Sequence, residues 1–169
     1  SASAQPPLLV FIDGACEDIV SVGGVLVDPA GHNEAFGTAV HQSTVDTWKT
    51  KLDQRQVIGQ AELFPLLVAR LTWAKRLSGR SVIFFIDNES AHIAAIKSYS
   101  PVLPSLKIIM QCIGLDFEFS IAPWHARVPT CCNIADGPSR LDFTLAQKLV
   151  GAKVVKPVFP VGTLRADGF

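Results

Sequence analysis

Two apolar runs that each end in an aspartate constrain this chain more than any other feature. The segments VFIDG and FFIDN carry large apolar residues directly into a carboxylate, which a turn-forming residue follows. Apolar runs without polar alternation are typical of strands that are covered on both faces of a sheet. We therefore predict central strands over 8–13 and 81–87, with Asp13 and Asp87 at their ends.

The stretch between these two runs predicts how the strands are connected. Residues 59–78 are rich in good helix formers and carry apolar residues on one face. A helical crossover of this kind places two strands side by side and parallel in one sheet. Pro65 is favourable only in a first helical turn, so we expect the regular helix to begin close to Glu62.

The remaining segments predict an α/β fold with a mixed five-stranded sheet flanked by helices. In this sheet an antiparallel meander of three strands continues into parallel strands. Further strands are predicted over 22–28, 35–41 and 116–124. Further helices are predicted within 42–56, over 89–97, over about ten residues that end near Gly114, and from Asn133 or Pro138 to Leu149.

The parallel pairing predicts a metal site. It places Asp13 and Asp87 at the same edge of the sheet, about 5 Å apart at the usual strand spacing. Two carboxylates at this distance repel each other unless a cation lies between them. Oxygen ligands with few accompanying His or Cys residues favour Mg²⁺ or Mn²⁺ over zinc. The alternative is that both aspartates are ordinary turn or helix-capping residues.

Four acidic motifs follow one another along the chain, namely VFIDGACE with the glycine pair that follows it, GQAEL, FFIDN and NIADGPSR. In this order they resemble the motifs of ribonuclease H domains, particularly the domains carried by reverse-transcribing retroelements, and the similarity spans about residues 8–145. The resemblance implies a ribonuclease H-like fold and a metal-dependent endonuclease that hydrolyses the RNA strand of RNA/DNA hybrids. It also implies two Mg²⁺ ions, for which Mn²⁺ can substitute, and a reverse transcriptase domain as a possible partner in the same polypeptide.

The resemblance implies a separate role for each of the four acids. Asp13 would bridge two metal ions, Glu62 and Asp87 would complete one metal site, and Asp136 would complete the other beside the attacking water. Each acid also has a structural alternative. Glu62 could be an ordinary acid of a first helical turn, and Asp136 could be only a helix cap.

Residues beside these motifs are candidate contacts to the substrate. A hybrid exposes 2′-hydroxyls in a wide, shallow minor groove, where backbone amides and polar side chains can reach them. His125, before the last acid, resembles a histidine that many ribonucleases H carry to assist product departure. The candidate substrate contacts are Gly14, Ala15, Gln60, Asn133, Arg127 and Arg140, with His125 as a possible auxiliary residue. For the two arginines the alternative is a solvated surface charge, and for Asn133 it is a structural turn.

Two other functions remain open at this stage. Another nuclease of the same superfamily, such as a junction resolvase, also carries acids in this order. A non-catalytic module of the same fold could serve as a scaffold or as a grip on nucleic acid. Exonucleases of the superfamily carry an acid two residues after the first aspartate, where this chain has Ala15.

Composition limits the partners and the compartment that we expect. The formal net charge is zero, so any nucleic-acid binding must come from a local patch. No apolar run approaches the about 18 residues that cross a bilayer, and the initial SASAQPP lacks the features of a signal peptide. The four cysteines are too few and too irregular for a disulfide framework and form no C-x-x-C zinc motif. We therefore expect an intracellular protein, cytoplasmic or nuclear, without a membrane segment.

The same composition predicts one folded unit. A hydrophobic content of 49% is enough for a packed core over this length. We expect residues 8–150 to form this domain. Residues 1–7 are expected to be a disordered or artificially added segment, and residues 151–169 an extended tail that carries two prolines.

Overall fold

The computed structural model of the protein describes residues 5–49 and 57–166. The strands are β1 (Leu8–Cys16), β2 (Val20–Val27), β3 (Glu34–Ala39), β4 (Ser81–Ile86), β5 (Ala122–Arg127) and β6 (Lys153–Val154). The helices are α1 (Gln42–Asp46), α2 (Ile58–Thr72), α3 (Ala74–Leu77), α4 (Glu89–Lys97), α5 (Leu103–Glu118), α6 (Asp136–Ser139) and α7 (Thr144–Val150).

The strands form one mixed sheet in the order β5-β4-β1-β2-β3-β6. Strands β1, β2 and β3 pair antiparallel, whereas β4 pairs parallel to both β1 and β5. The predicted meander, the helical crossover through α2 and the parallel pairing of the two central strands are therefore confirmed. The predicted end of the first strand at Asp13 is wrong, because β1 stays paired with β2 as far as Cys16. The rings of Phe11 and Phe85, which are partners in this pairing, stack with their centroids 4.5 Å apart.

Helices cover both faces of the sheet. Alternate β1 residues, Leu8, Val10 and Ile12, are fully buried in the main core, to which α2 and α5 contribute. A smaller apolar cluster on the other residues of the central strands includes Val25 and Ala146 of α7. Because both faces are covered, β1 lacks the polar alternation of a half-exposed strand.

Helix α2 begins at Ile58, so the predicted start near Glu62 is wrong. Pro65 lies inside the helix and cannot donate an N–H group to the carbonyl of Ala61. This carbonyl faces Gly14 of β1, where a Cβ atom would lie only 2.1 Å from the carbonyl oxygen. Packing of α2 against the sheet thus stabilises a helical conformation around Pro65, although proline by itself disfavours the interior of a helix.

The strand predicted over 116–124 is present as β5, but its predicted start is wrong, because α5 continues to Glu118. Asp116 in the last turn accepts hydrogen bonds from Nε and Nη2 of Arg70, at 2.7 and 3.1 Å. Arg70 is 1% exposed, and its guanidinium also lies 4.1 Å from the centroid of the Phe84 ring. This buried ion pair holds the last turn of α5 against α2. The chain then turns at Ser120, which has a positive φ of 53°, and β5 begins at Ala122.

The C-terminal part differs from the prediction in two places. The last helix is divided into α6 and α7, since Leu141 between them adopts a positive φ of 64°. The tail contributes β6, which pairs parallel to β3 and makes the sheet six-stranded rather than five-stranded. Arg165 forms a further bridge to Val40. The outer edge of β3 thus offers backbone groups with which the tail can form hydrogen bonds. The composition of the tail predicts only that it is extended.

The remaining predictions concern the connector and the termini. The predicted helical segment within 42–56 is present as α1, which ends at Asp46, and residues 50–56 lie outside the described residues. Residues 1–4 and 167–169 also lie outside them. Among the helices of the described ranges, none combines the length and the apolar character that crossing a bilayer requires.

Candidate metal centre

Three acidic side chains meet near the carboxyl end of the parallel pairing between β1 and β4. Asp13 lies in β1, Asp87 directly follows β4, and Glu62 projects from α2. Each offers one carboxylate oxygen, and these oxygens all lie within 4.8 Å of one another. The structure thus brings together three of the four predicted acids, which we call the acid cluster.

The position of Glu62 depends on close contact between α2 and β1. Gly14 has no side chain, so the backbone of α2 at Ala61 and Glu62 can lie directly against it. The Gly14 N–H group also donates to Oδ1 of Asp13 at 2.9 Å. Gly14 therefore orients one acid of the cluster and makes room for the helix that carries another.

Asp87 does not cap α4, because the next residue, Asn88, does so. Asn88 is the N-cap of α4, and its side-chain oxygen accepts a hydrogen bond from the Ala91 N–H group at 2.9 Å. Because Asn88 supplies the cap, the Asp87 carboxylate is available to the acid cluster. The capping alternative for Asp87 thus has no support in the geometry.

Burial and mutual repulsion make the acid cluster unfavourable for negative charge. Burial raises the pKa of Asp13 from 3.8 to about 7, and the charge of Asp87 adds to this effect. Burial likewise raises the pKa of Glu62 from 4.5 to about 8, followed by the charges of Asp13 and Asp87. The Oε2 atom of Glu62 is buried without a hydrogen-bond partner among the described residues.

These residues fit a divalent cation. Carboxylate oxygens are the ligands that Mg²⁺ and Mn²⁺ prefer, and the acid cluster contains neither cysteine nor histidine. A cation would also neutralise the repulsion and provide a partner for the buried Glu62 oxygen.

Asp136, the fourth predicted acid, is not part of the acid cluster. Its Oδ1 atom accepts a hydrogen bond at 3.3 Å from Nε of Arg140, whose Nη1 group donates to Glu17 of the β1–β2 turn. Asp136 still lies close enough for its charge to raise the pKa of Asp13. No side-chain capping bond is made at the start of α6, so Asp136 is not a cap in this structure.

Ser139 links α6 to the acid cluster, and sequence analysis missed it. Its buried hydroxyl group donates to the Asp136 carbonyl at 2.7 Å and lies 3.3 Å from Oδ2 of Asp13. Gly23 permits this approach, because a Cβ atom there would lie 2.3 Å from the Ser139 nitrogen. The available signal was a serine three residues after Asp136, which lies one helical turn further along the same face.

Asn133 has a structural position. Its side-chain amide donates to the Ile12 carbonyl at 3.0 Å, and its side-chain oxygen accepts from the Ala135 N–H group at 3.2 Å. Its backbone carbonyl accepts from the Asp136 N–H group at 3.0 Å. Asn133 therefore connects the end of β1 with the segment that carries Asp136.

Comparison with known proteins finds similarity at the level of structure. No protein-family model matches the sequence, and no curated protein sequence matches it. RNase H1 from the archaeon Halobacterium salinarum is 19% identical with a TM-score of 0.61, and the match covers 82% of this chain and 98% of that one. The N-terminal RNase H domain of a Mycobacterium tuberculosis protein is 18% identical with a TM-score of 0.59, covering 84% and 97%. The chain has the ribonuclease H fold.

A third structure with this ribonuclease H fold contains nucleic acid. LC11-RNase H1, found in compost by a metagenomic approach, has been crystallised in complex with an RNA/DNA hybrid. That complex is 15% identical to the chain with a TM-score of 0.53, and the match covers 82% of this chain and 98% of that one. None of these three is a retroelement domain, so the retroelement connection stays a prediction.

Two of the predicted site residues, Gln60 and His125, contact side chains outside the acid cluster. Gln60 is buried and donates to the Ser105 hydroxyl of α5 at 2.9 Å. His125 lies within β5, where its ring stacks on Phe84, and its Nε2 atom is 3.4 Å from Nη2 of Arg70. Burial, followed by the charge of Arg70, lowers the pKa of His125 to about 4. The structure brings neither residue to the acid cluster.

The other predicted contacts lie closer to solvent. Ala15 is half-buried in β1 opposite Ser21, and Arg127 is the exposed last residue of β5. Arg140 is half-exposed in its ion pairs with Glu17 and Asp136. Among these three, only Arg140 has a contact that joins it to a predicted acid.

The raised pKa values predict that the metal-free protein loses stability as pH rises from about 6.5 to about 8. Asp13 and Glu62 hold their protons more tightly when folded than when unfolded, so the unfolded state is favoured as both ionise. Below pH 6.5 the neutral, buried His125 has the opposite effect, because its pKa is lowered on folding. We expect the free energy of unfolding to fall by about 1 to 2 kcal/mol across this window.

Urea unfolding in EDTA at several pH values measures this dependence. Adding Mg²⁺ should reduce the loss, because a bound cation favours the ionised carboxylates. A free energy of unfolding that stays constant or rises between about pH 6.5 and about pH 8 would show that burial and repulsion do not raise the pKa values of Asp13 and Glu62.

Proposed function

We propose that this protein is a metal-dependent endonuclease that hydrolyses the RNA strand of RNA/DNA hybrids. The observation that carries the proposal is the acid cluster of Asp13, Glu62 and Asp87 at the carboxyl edge of two parallel strands in a ribonuclease H fold. Burial of two repelling carboxylates weakens a fold, so a scaffold protein has no physical reason to retain them.

The residues of the site would divide the work as follows. Asp13, Glu62 and Asp87 would hold divalent cations, for which Mg²⁺ is our first choice. Such ions would supply charge stabilisation at the scissile phosphate and activate water. Asp136 would act as the fourth acid, at a position that the Ser139 hydroxyl and Asn133 maintain relative to β1.

Backbone and phosphate contacts would provide the recognition of the hybrid. The formal net charge is zero, so affinity must come from local groups such as Arg127 and Arg140. Gly14 and Ala15, which follow Asp13, would present backbone groups to the substrate beside the reacting phosphate. We also propose that the domain comes from a retroelement polyprotein, in which a reverse transcriptase domain would supply further grip on the hybrid.

Cleavage assays with four labelled substrates test this proposal. We expect the chain, with Mg²⁺ or Mn²⁺, to cut only the RNA strand of an RNA/DNA hybrid and to leave 5′-phosphate ends. Duplex RNA, duplex DNA and a four-way DNA junction are the matched controls, and EDTA should stop the reaction.

Two results would contradict it in different ways. Cleavage of the junction without cleavage of the hybrid would favour a resolvase. No cleavage of any substrate, together with no Asp13-dependent binding of Mg²⁺ or Mn²⁺ in calorimetry, would favour a non-catalytic module.

A further inference from the structure

Two adjacent thiols lie in the turn that leads into the fourth acid. Cys131 and Cys132 belong to the 3-10 turn Thr130–Cys132, and both are exposed. Their Sγ atoms are 3.5 Å apart. The other two cysteines differ, since Cys16 is partly buried and Cys112 is buried. We therefore expect a reagent that needs two neighbouring thiols to react at this turn.

A disulfide between such neighbours would be strained. Consecutive Cα atoms are about 3.8 Å apart across a trans peptide, whereas the Cα atoms of ordinary disulfides are about 4.4 to 6.8 Å apart. Strained and exposed disulfides are reduced easily and serve as labile rather than structural bonds. The pair is thus suited to reversible oxidation, not to permanent cross-linking.

We propose that Cys131 and Cys132 form a thiol–disulfide exchange site for low-molecular-weight disulfides of the oxidised-glutathione type. The thiolate of one cysteine attacks a sulfur of the small disulfide, which forms a mixed disulfide and releases one small thiol. The second cysteine then attacks the protein sulfur of this mixed disulfide, which closes the vicinal disulfide and releases the second small thiol. Two electrons and two protons pass from the cysteine pair to the small disulfide.

Formation of the disulfide at this turn would affect Asp13 and Asp136 through hydrogen bonds. The turn is held by hydrogen bonds from the Cys132 N–H group to the Pro129 carbonyl, at 2.9 Å, and from the Asn133 N–H group to the Thr130 carbonyl, at 3.3 Å. Closing the ring must bring the two Sγ atoms from 3.5 Å to about 2 Å, so we expect it to rotate the peptide between the two cysteines and to disturb these bonds.

Asn133 carries the disturbance further. It follows the ring directly and holds both the Ile12 carbonyl, next to Asp13, and the Asp136 N–H group. Oxidation should therefore loosen the connection between the two acids. The covalent step does not depend on the proposed nuclease function, whereas its effect on hydrolysis does.

Intact-mass measurement of the full chain tests the covalent step. After incubation with a slight molar excess of oxidised glutathione and no added reduced glutathione, so that little small thiol is present to reopen the strained ring, the wild-type protein should lose about 2 Da, the mass of two hydrogen atoms, and keep no stable adduct at the pair. Cys131→Ser and Cys132→Ser should each retain one glutathione at the remaining cysteine of the pair, because no neighbouring thiol resolves it. Cys16→Ser is the matched control and should lose the two hydrogens as wild type does. A stable adduct at the pair in the wild-type protein, or no reaction there, would overturn the proposal.

Amide hydrogen exchange tests the coupling without requiring catalysis. In the oxidised protein, the Ala135 and Asp136 amides should exchange about tenfold faster than in the reduced protein, and dithiothreitol should restore their protection. If the protein oxidises but these amides are unchanged, the coupling part of the proposal is wrong. If coupling is present and no hybrid is cleaved, the proposed nuclease function fails while the exchange site stands.

Discussion

Replacing Asp13 with asparagine should reduce metal-dependent cleavage by at least about a thousandfold and should also stabilise the metal-free protein at pH 8. Asp13 is only 5% exposed and interacts unfavourably with both other acids of the cluster. Its removal takes away a central oxygen ligand and relieves the repulsion on Glu62. We expect the free energy of unfolding in EDTA to increase by about 1 to 3 kcal/mol.

Parallel assays of activity and urea unfolding check this prediction. Asp87→Asn should likewise abolish cleavage without loss of the fold. Asp18→Asn is the matched control, because it removes an exposed carboxylate from the same β1–β2 turn and should change neither quantity appreciably. Undiminished cleavage by Asp13→Asn would remove this residue from the metal centre. A less stable Asp13→Asn protein would mean that the carboxylate contributes more by its hydrogen bonds than it costs by repulsion.

Replacing Gly14 with alanine should destabilise the protein by about 3 kcal/mol or more and should also lower cleavage strongly. The added Cβ atom would lie 2.1 Å from the Ala61 oxygen and 2.7 Å from the Ala61 carbon, both backbone atoms of α2. Neither can rotate away as a side chain could, so α2 must move away from β1. Because α2 carries Glu62, this movement also opens the acid cluster.

Urea unfolding and hybrid cleavage again provide the measurement, and Gly114→Ala provides the control. A Cβ atom at Gly114, in the interior of α5, meets nothing within 4 Å. That variant should therefore be more stable by about 0.5 to 1 kcal/mol. Equal effects of the two substitutions would show that contact between α2 and β1 is looser than the structure indicates.

Much of the acid cluster could be predicted because its acids are tied to strong local patterns. Unbroken apolar runs identify β1 and β4, and the helical crossover between them requires parallel neighbours. Asp13 and Asp87 follow from the ends of those runs. Glu62 needed the resemblance to ribonuclease H motifs, because a single acid on a long helix has no signal of its own.

Other contacts could not be predicted because they depend on residues distant in sequence. Arg70 pairs with Asp116 across 46 positions, and that bond holds the last turn of α5 against α2. The later start of β5 places His125 within the strand and beside Arg70 rather than at the strand end. Gln60 is directed to Ser105 for the same kind of reason.

The sequence by itself determined the central pair of strands, their parallel pairing and the presence of carboxylates at one edge of the sheet. These features follow from burial periodicity and from the geometry of a crossover, which neighbouring residues encode. Only the tertiary structure decided that Pro65 lies within a helix, that the tail adds a sixth strand, and that Asp136 pairs with Arg140 outside the acid cluster. The physical reason is that helix ends, strand edges and ion pairs take the partner that the folded chain brings near.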